Sequence, residues 1–356
     1  MKTPGSMGVS SWRRLLHCWL AIPLLLIACV GCTPFDETDS NTLTAIMVLD
    51  MAGLGDRGFN DAGWAGMQLA VDSLGVDARL IQSSEQSDYV PNLALAAQQA
   101  DVVVAMGFLL SEAVAAVASQ HPDTRFVFVD GEVPGQNIAS FDFRAQEGGF
   151  LAGILAAGVT ETGSVGCVMG MDIPPVRAYE TGFRAGIKLY NASQGADVQY
   201  SSMVIGDFND PARGKSQALS LIAQGCDVVL QLAGNSGLGV IEAFKDGPPG
   251  RWAIGADLDQ DDLAPGRVLT SILKRIDVAV FEAIRQIHED RFQSGHHWLG
   301  LMESATDLTE MRHTADAVPP EVLTLLDRCR VIIQRGGTIP FHPSELATFD
   351  PALFLK

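Results

Sequence analysis

LTAIMVLDMAGLGDRGFNDAGWAGMQLAVDSL, residues 43–74, decides the fold. Six of its first seven residues are apolar, a run whose length suits a buried strand. The Gly-rich stretch 50–60 follows, and helical spacing runs from Asp61 to Leu74. The same unit recurs downstream. Apolar runs stand at 78–83, 101–106, 125–130, 137–143, 164–170, 198–205, 227–233, 251–257 and 267–273, with Ala-rich helical stretches such as 111–120, 148–158, 178–190 and 214–224 between them. Fully apolar strands separated by crossover helices predict parallel sheets covered on both faces. Ten strands exceed one small open sheet, and the series divides near Phe143, where a Gly-rich helix begins. The expected fold is therefore α/β with two lobes. The first comprises 43–143, completed by about 258–290; the second comprises 144–257 and about 291–345.

The N-terminal segment reads as an address. Residues 1–28 hold Lys2, Arg13 and Arg14 and no acidic residue, and an apolar run extends from Trp19 to Cys29. That run suits the core of a signal peptide and is too short for a membrane-spanning helix. It ends in Leu26-Ile27-Ala28-Cys29, which resembles the bacterial lipobox and makes Cys29 the expected lipidation site, with Cys32 the alternative. Residues 29–42 read as a polar tether. Without the leader, 21 basic residues face 42 acidic ones, a balance of −21. Such a charge excludes a phosphate-backbone footprint, so no nucleic-acid partner is expected. The expected location is extracytoplasmic, held at the cell membrane by the lipid. Cys167, Cys226 and Cys329 lie beside apolar strand residues or far apart, and are expected as buried thiols.

In parallel α/β sheets, ligands bind where loops leave the carboxyl ends of strands. That rule selects 50–60, 106–108, 129–132, 206–211, 232–239 and 255–262, where Asp residues recur beside Phe in Gly-rich loops. Carboxylates grouped with aromatics suit a neutral or cationic ligand that has a flat face and hydroxyl groups. Catalytic motifs fail one by one. Gly53-x-Gly55-x-x-Gly58 matches a dinucleotide fingerprint, but Asp56 would set a negative charge inside the pyrophosphate cradle. Asn209–Ser216 lacks the first Gly of a phosphate loop, and Asp257, Asp259 and Asp261 lack the Gly and the closing Glu of a calcium loop. Gly234–Leu238 misses the nucleophile elbow by one Gly. No enzyme, cofactor or metal site is expected.

Several of these strings, in this order, resemble the basic membrane lipoprotein family of substrate-binding proteins. They are VLDMAGLGDRGFNDAGWAG, FVFVDG, FDFRAQEGGFLAGILA, GFRAGI, DFNDPARG, GCDVVLQLAGNSGLGVIEA, IGADLDQ, VLTSILKRIDVAV and PPEVLTLLDRCRVIIQRGGTIP. The chain departs from the usual pattern with Gly55 where Asp is common and Gly58 where Ser or Thr is common. The resemblance implies a type I periplasmic-binding-protein architecture, two lobes closing on a purine nucleoside (adenosine, guanosine or inosine) for delivery to an ABC permease. It implies that Phe59 and Phe208 stack on the two faces of the purine, one from each lobe. Asn60, otherwise a helix N-cap, contributes to base recognition, and Asp50 accepts from a purine amino or imino group. Asp130 closes a strand as Asp50 does. Asp257 accepts the ribose hydroxyls, Lys274 donates to the sugar or pairs with Asp257, Gly234 lets backbone approach the ligand, and Gly107-Phe108 forms the floor of the cleft. Two other readings stand beside this one: a receptor for another small molecule, such as a sugar, nucleobase or signal, and an exported nucleoside-processing enzyme.

Overall fold

The computed structural model describes residues 42–355; the leader, Cys29, Cys32 and nearly all of the tether lie outside the described residues. The first lobe opens with β1 (Thr44–Leu49), α1 (Phe59–Leu74), β2 (Asp77–Gln82), α2 (Tyr89–Gln99), β3 (Val102–Met106), α3 (Ser111–Ala118), β4 (Arg125–Val129) and β5 (Ile138–Phe143). The chain continues through α4 (Ala145–Val159), β6 (Ser164–Met169), α5 (Pro174–Gln194), β7 (Gln199–Val204), α6 (Pro211–Ala223), β8 (Val228–Leu232), α7 (Asn235–Lys245), β9 (Trp252–Asp257) and β10 (Val268–Lys274). It closes with α8 (Ile276–His288), β11 (Gly295–Leu299), β12 (Thr306–Leu308) and α9 (Pro320–Gln334). All ten apolar runs read from the sequence form strands.

These strands build two six-stranded sheets of the same design. One runs β11-β5-β4-β3-β1-β2 and the other β12-β10-β9-β8-β6-β7, so each strand of the first has a positional counterpart in the second. Pairing is parallel throughout except between β10 and β12. Central strands such as β3 (VVVAM) and β8 (VVLQL) are buried at every residue, because helices cover both faces. The outer strands β2 and β7 have no fully buried residue and mix polar with apolar side chains.

Two boundaries differ from the sequence expectation. Strand β10, expected in the first lobe, pairs with β9 in the second sheet, with Ser271 opposite Gly255 and Leu273 opposite Asp257. The strand that completes the first sheet is β11, from the segment assigned to the second lobe; it pairs with β5 from Gly295–Ala139 to Leu299–Phe143. The reason is physical. β11 is an edge strand with the sequence GHHWL, half-exposed, and lacks the apolar run that marks buried strands. The chain thus crosses between lobes after β5, after β10 and again between β11 and β12. Helix α4 enters the core of the second lobe, while Ile276, Val280 and Ile284 of α8 enter that of the first.

Helices α4 and α5 pack almost backbone to backbone. A Cβ at Gly149 would lie 2.3 Å from the Tyr179 carbonyl oxygen, and one at Gly186 2.1 Å from that of Phe150. This contact fixes where the first turns of α5 face. Cys167, Cys226 and Cys329 are buried free thiols. Among the described residues no helix is long and apolar enough to cross a membrane.

Candidate ligand-binding site

The carboxyl ends of the two sheets converge on one cleft between the lobes. Asp50, Phe59, Asn60, Gly107, Asp130, Phe208, Gly234, Asp257 and Lys274 all line it. The remainder of the lining includes Asp56, Phe108, Ile173, Pro175, Val176, Tyr179, Leu232 and Ala256.

The first-lobe wall is shaped by the loop between β1 and α1. Gly58 holds the N-cap position of α1 and offers no side chain, so the orphan N–H groups need another acceptor. Asp56 supplies it: its carboxylate accepts from the backbone of Gly58 (2.9 Å), Asn60 (2.9 Å) and Asp61 (3.2 Å). The donors that would cradle a pyrophosphate are therefore already occupied by this side chain. Burial outweighs these three donors and pushes the Asp56 carboxyl up to about 7. Asp61 in turn accepts from Gly55 (2.8 Å) and Arg57 (2.9 Å), tying the loop to its own helix.

So anchored, the loop sets Phe59 as the first residue of α1 and Asn60 as the second. Asn60 is buried and is not the helix cap; its Nδ2 donates to Asp50 Oδ1 (3.1 Å), which also accepts from Ala52 N–H (3.0 Å). The opposite amide atom, Asn60 Oδ1, is buried with no partner. Burial raises the Asp50 carboxyl above its ordinary value, against the pull of Asn60. Gly107 is required beside it: its φ is +104°, and a Cβ there would lie 3.2 Å from Asp50 Oδ2.

Two further carboxylates occupy equivalent strand ends. Asp130 follows β4 and Asp257 ends β9, its counterpart, and both adopt a left-handed backbone (φ 82° and 70°). Such conformations cost free energy and cluster at functional sites. Their partners differ. The Lys274 ammonium, 2% exposed, donates to Asp130 Oδ1 rather than to Asp257. It also sits 5.0–5.6 Å from the centroids of Phe143, Phe59 and Tyr179. Asp257 instead accepts from the Tyr179 hydroxyl (3.2 Å). Burial raises the Asp257 carboxyl to about 6, opposed by Lys274 and reinforced by Asp130.

Phe208 comes from the loop between β7 and α6 and is half-buried. A Cβ at Gly170 would lie 2.3 Å from its ring, so Gly170 leaves the space it occupies. Ser236 pins the loop, donating its backbone N–H to the Phe208 carbonyl (2.9 Å) and its hydroxyl to Asp207 (3.1 Å), while accepting from Asp210 N–H (2.8 Å). Across the cleft, Gln260 Nε2 donates to the Arg57 carbonyl at 2.9 Å, and Asn209 Nδ2 reaches the Met51 carbonyl at 3.4 Å. The acidic turn after β9 is mixed: Asp259 and Asp262 are exposed, whereas Asp261 is buried and paired with Arg312 (3.1 Å).

The sequence reading missed Tyr179 and the apolar residues of the second-lobe wall. A signal existed. Pro174-Pro175 marks a helix start, which places Tyr179 in the second turn of α5, near the end of β6.

Two lobes bearing ligand-type side chains on facing strand ends define a solute-binding protein of the periplasmic-binding-protein kind. The chain belongs to the family described as ABC transporter substrate-binding protein, PnrA-like, whose model matches residues 43–324. An uncharacterised lipoprotein of Pyrococcus abyssi is 31% identical over 87% of this chain and 83% of its own. The ABC transporter nucleoside-binding protein BmpA of Lactococcus lactis is 32% identical over 77% of this chain and 85% of its own. Among solved structures, an ABC transporter solute-binding protein of Aeropyrum pernix superposes with a TM-score of 0.80 at 28% identity, covering 86% of this chain and 96% of that one.

Proposed function

We propose that this substrate-binding protein captures a purine nucleoside by closing its lobes and passes it to an ABC permease, tethered outside the cytoplasm by a lipid on Cys29 (alternatively Cys32). The observation that carries this reading is the convergence of Phe59 and Phe208, from opposite lobes, on one cavity rimmed by carboxylates. A purine offers two faces, and ring stacking contributes roughly 1–3 kcal/mol per base. Because the ligand touches both lobes, it favours the closed state over the open one. Gln260 and Asn209 add bonds available only when the lobes meet.

The first-lobe wall supports a choice among bases. Asn60 spends its amide N–H on Asp50 and presents an unpartnered oxygen next to that carboxylate. Two adjacent acceptors match the N1–H and amino group of guanine, half match inosine, and face one acceptor of adenine. Guanosine is the expected favoured ligand. At the second-lobe wall, Asp257 accepts the sugar hydroxyls, the feature that separates a nucleoside from a free base. The membrane attachment is read from the sequence and from relatives named as lipoproteins; a single acyl chain holds only marginally, so the reading includes a second.

Calorimetry of the full-length chain in detergent tests the proposal with guanosine, inosine, adenosine, ribose and glucose. Binding that follows the order guanosine, inosine, adenosine, with Phe208→Ala and Asp257→Ala each weakening it, supports the reading. Binding of a sugar but of no nucleoside overturns it, as does release of free base during incubation.

A further inference from the structure

The two strand-end carboxylates occupy equivalent places in the two sheets, yet only one of them is neutralised. Asp130 holds the buried Lys274 ammonium, whereas Asp257 holds an uncharged phenol. A neutral donor leaves the negative charge of Asp257 intact while fixing the direction of one of its oxygens. The Tyr179 hydroxyl is bound to Oδ1. The other oxygen, Oδ2, points toward Gly58 across the cleft, 3.6 Å from where a Cβ would stand there. Tyr179 itself has little freedom, because its carbonyl lies against Gly149 of α4 and its ring is one of three that surround Lys274.

We propose that Tyr179 is a positioning residue whose hydroxyl locks Asp257 as the acceptor of the sugar hydroxyls, and so sets the preference for nucleoside over free base. This rests on the nucleoside reading of the cavity. The groups facing Asp257 are Tyr179 from α5, Lys274 from β10, Asp130 from the end of β4 and, on the opposing loop, Asp56. Of these, Tyr179 alone donates a hydrogen bond to it. A hydrogen bond to the charged form favours that form, so removing the hydroxyl moves Asp257 further above its present value of about 6. It then protonates nearer neutrality and loses acceptor capacity.

Tyr179→Phe keeps the ring beside Lys274 and removes only the hydroxyl. In the full-length protein, guanosine affinity is expected to fall about tenfold or more at pH 7, as for loss of a hydrogen bond to a charged group. Affinity for guanine falls far less, so the guanosine-to-guanine ratio drops by a similar factor. Wild-type affinity falls as pH drops through about 6, and in the variant this fall begins at higher pH. In Asp257→Asn, adding Tyr179→Phe has no further effect on the ratio. Equal losses for guanosine and guanine, or an unmoved pH profile, overturn the proposal and leave Tyr179 a packing residue. A ligand-free readout separates it from the functional reading: the ¹³C carboxyl titration of Asp257, identified by its disappearance in Asp257→Asn. If no nucleoside binds wild type, the functional reading fails. An Asp257 midpoint unchanged by Tyr179→Phe sinks the positioning role whatever binds.

Discussion

The two lobes share a sheet order and differ in what their strand ends hold. The first lobe presents Asp50, Asp56, Asn60 and Asp130, with Ala52, Leu109 and the rings of Phe59 and Phe108; the second presents Ile173, Pro175, Val176, Leu232 and Ala256, with Tyr179, Asp257, Lys274 and the Phe208 ring on a loop. The fifth strands show the contrast most sharply. In equivalent places β5 ends in Phe143 and β10 ends in Lys274, and the cation of one lobe rests on the ring of the other. A duplicated architecture therefore builds an asymmetric cleft: one wall ends in oriented acceptors, the other is a hydrophobic face with a single anchoring acid. A ligand seated as proposed has a defined polarity, its polar edge to the first lobe and its flat faces clasped between the two.

The largest effect is expected where the lobes exchange charge. Lys274→Met leaves Asp130 buried without its cation, and breaking such a pair costs about 3–5 kcal/mol. Urea denaturation at pH 7.5 measures the loss. Asp130→Asn in the same background restores part of the loss at neutral pH. A Lys274→Met protein as stable as wild type at pH 7.5 would show that the charge exchange contributes nothing to folding.

Much of this asymmetry was legible in the sequence. The strand-end rule selected loops that hold eight of the nine expected residues, the family resemblance added Lys274, and all nine line the cavity, because a parallel sheet puts the carboxyl ends of its strands on one edge whatever the details of its loops. Partners were harder to read. Lys274 is expected from the sequence to donate to the sugar or to pair with Asp257; β10 does lie beside β9, yet its terminal ammonium reaches across to Asp130 of the other sheet. Tyr179 was missed because only the glycine-mediated approach of α5 to α4 aims it at the cleft. The lobe boundary near β10 and β11 was misplaced because periodicity reports burial. An edge strand such as GHHWL carries too little apolar pattern to announce itself.

A middle-sized effect separates the two rings. Phe59 opens α1, touches the first-lobe core and sits over Lys274, whereas Phe208 projects from a pinned loop against the second-lobe core. Phe208→Ala is expected to weaken guanosine binding by about 1–3 kcal/mol while lowering folding stability by on the order of 1 kcal/mol or less. Phe59→Ala is expected to lose similar affinity and more stability, because a core neighbour and a cation contact go with it. Calorimetry and denaturant melts on the same preparations compare the pair. Equal stability losses would mean that the rings are equivalent and the asymmetry stops at the charges.

The smallest expected effect tests whether the position of the Phe208 ring, beyond its presence, matters. A Cβ at Gly170 would come within 2.3 and 2.5 Å of two ring atoms and 3.2 Å from the Ala233 Cα. Something must shift, and the ring is the movable member, the far end of a side chain on a half-exposed loop. The loop's own ties to Gly170 run through its carbonyl, which accepts from Gly206 and Asp207 at 2.7 and 3.1 Å and survives an added methyl. Gly170→Ala is therefore expected to change stability by less than about 1 kcal/mol and to remove only part of the stacking contribution, well under the ~1–3 kcal/mol of losing the ring. In a Phe208→Ala background the substitution has nothing left to displace, and its effect on affinity vanishes. If Gly170→Ala weakens binding equally with and without the ring, the methyl acts through the Ala233 backbone, and the second-lobe wall is set by its strands rather than by its loop.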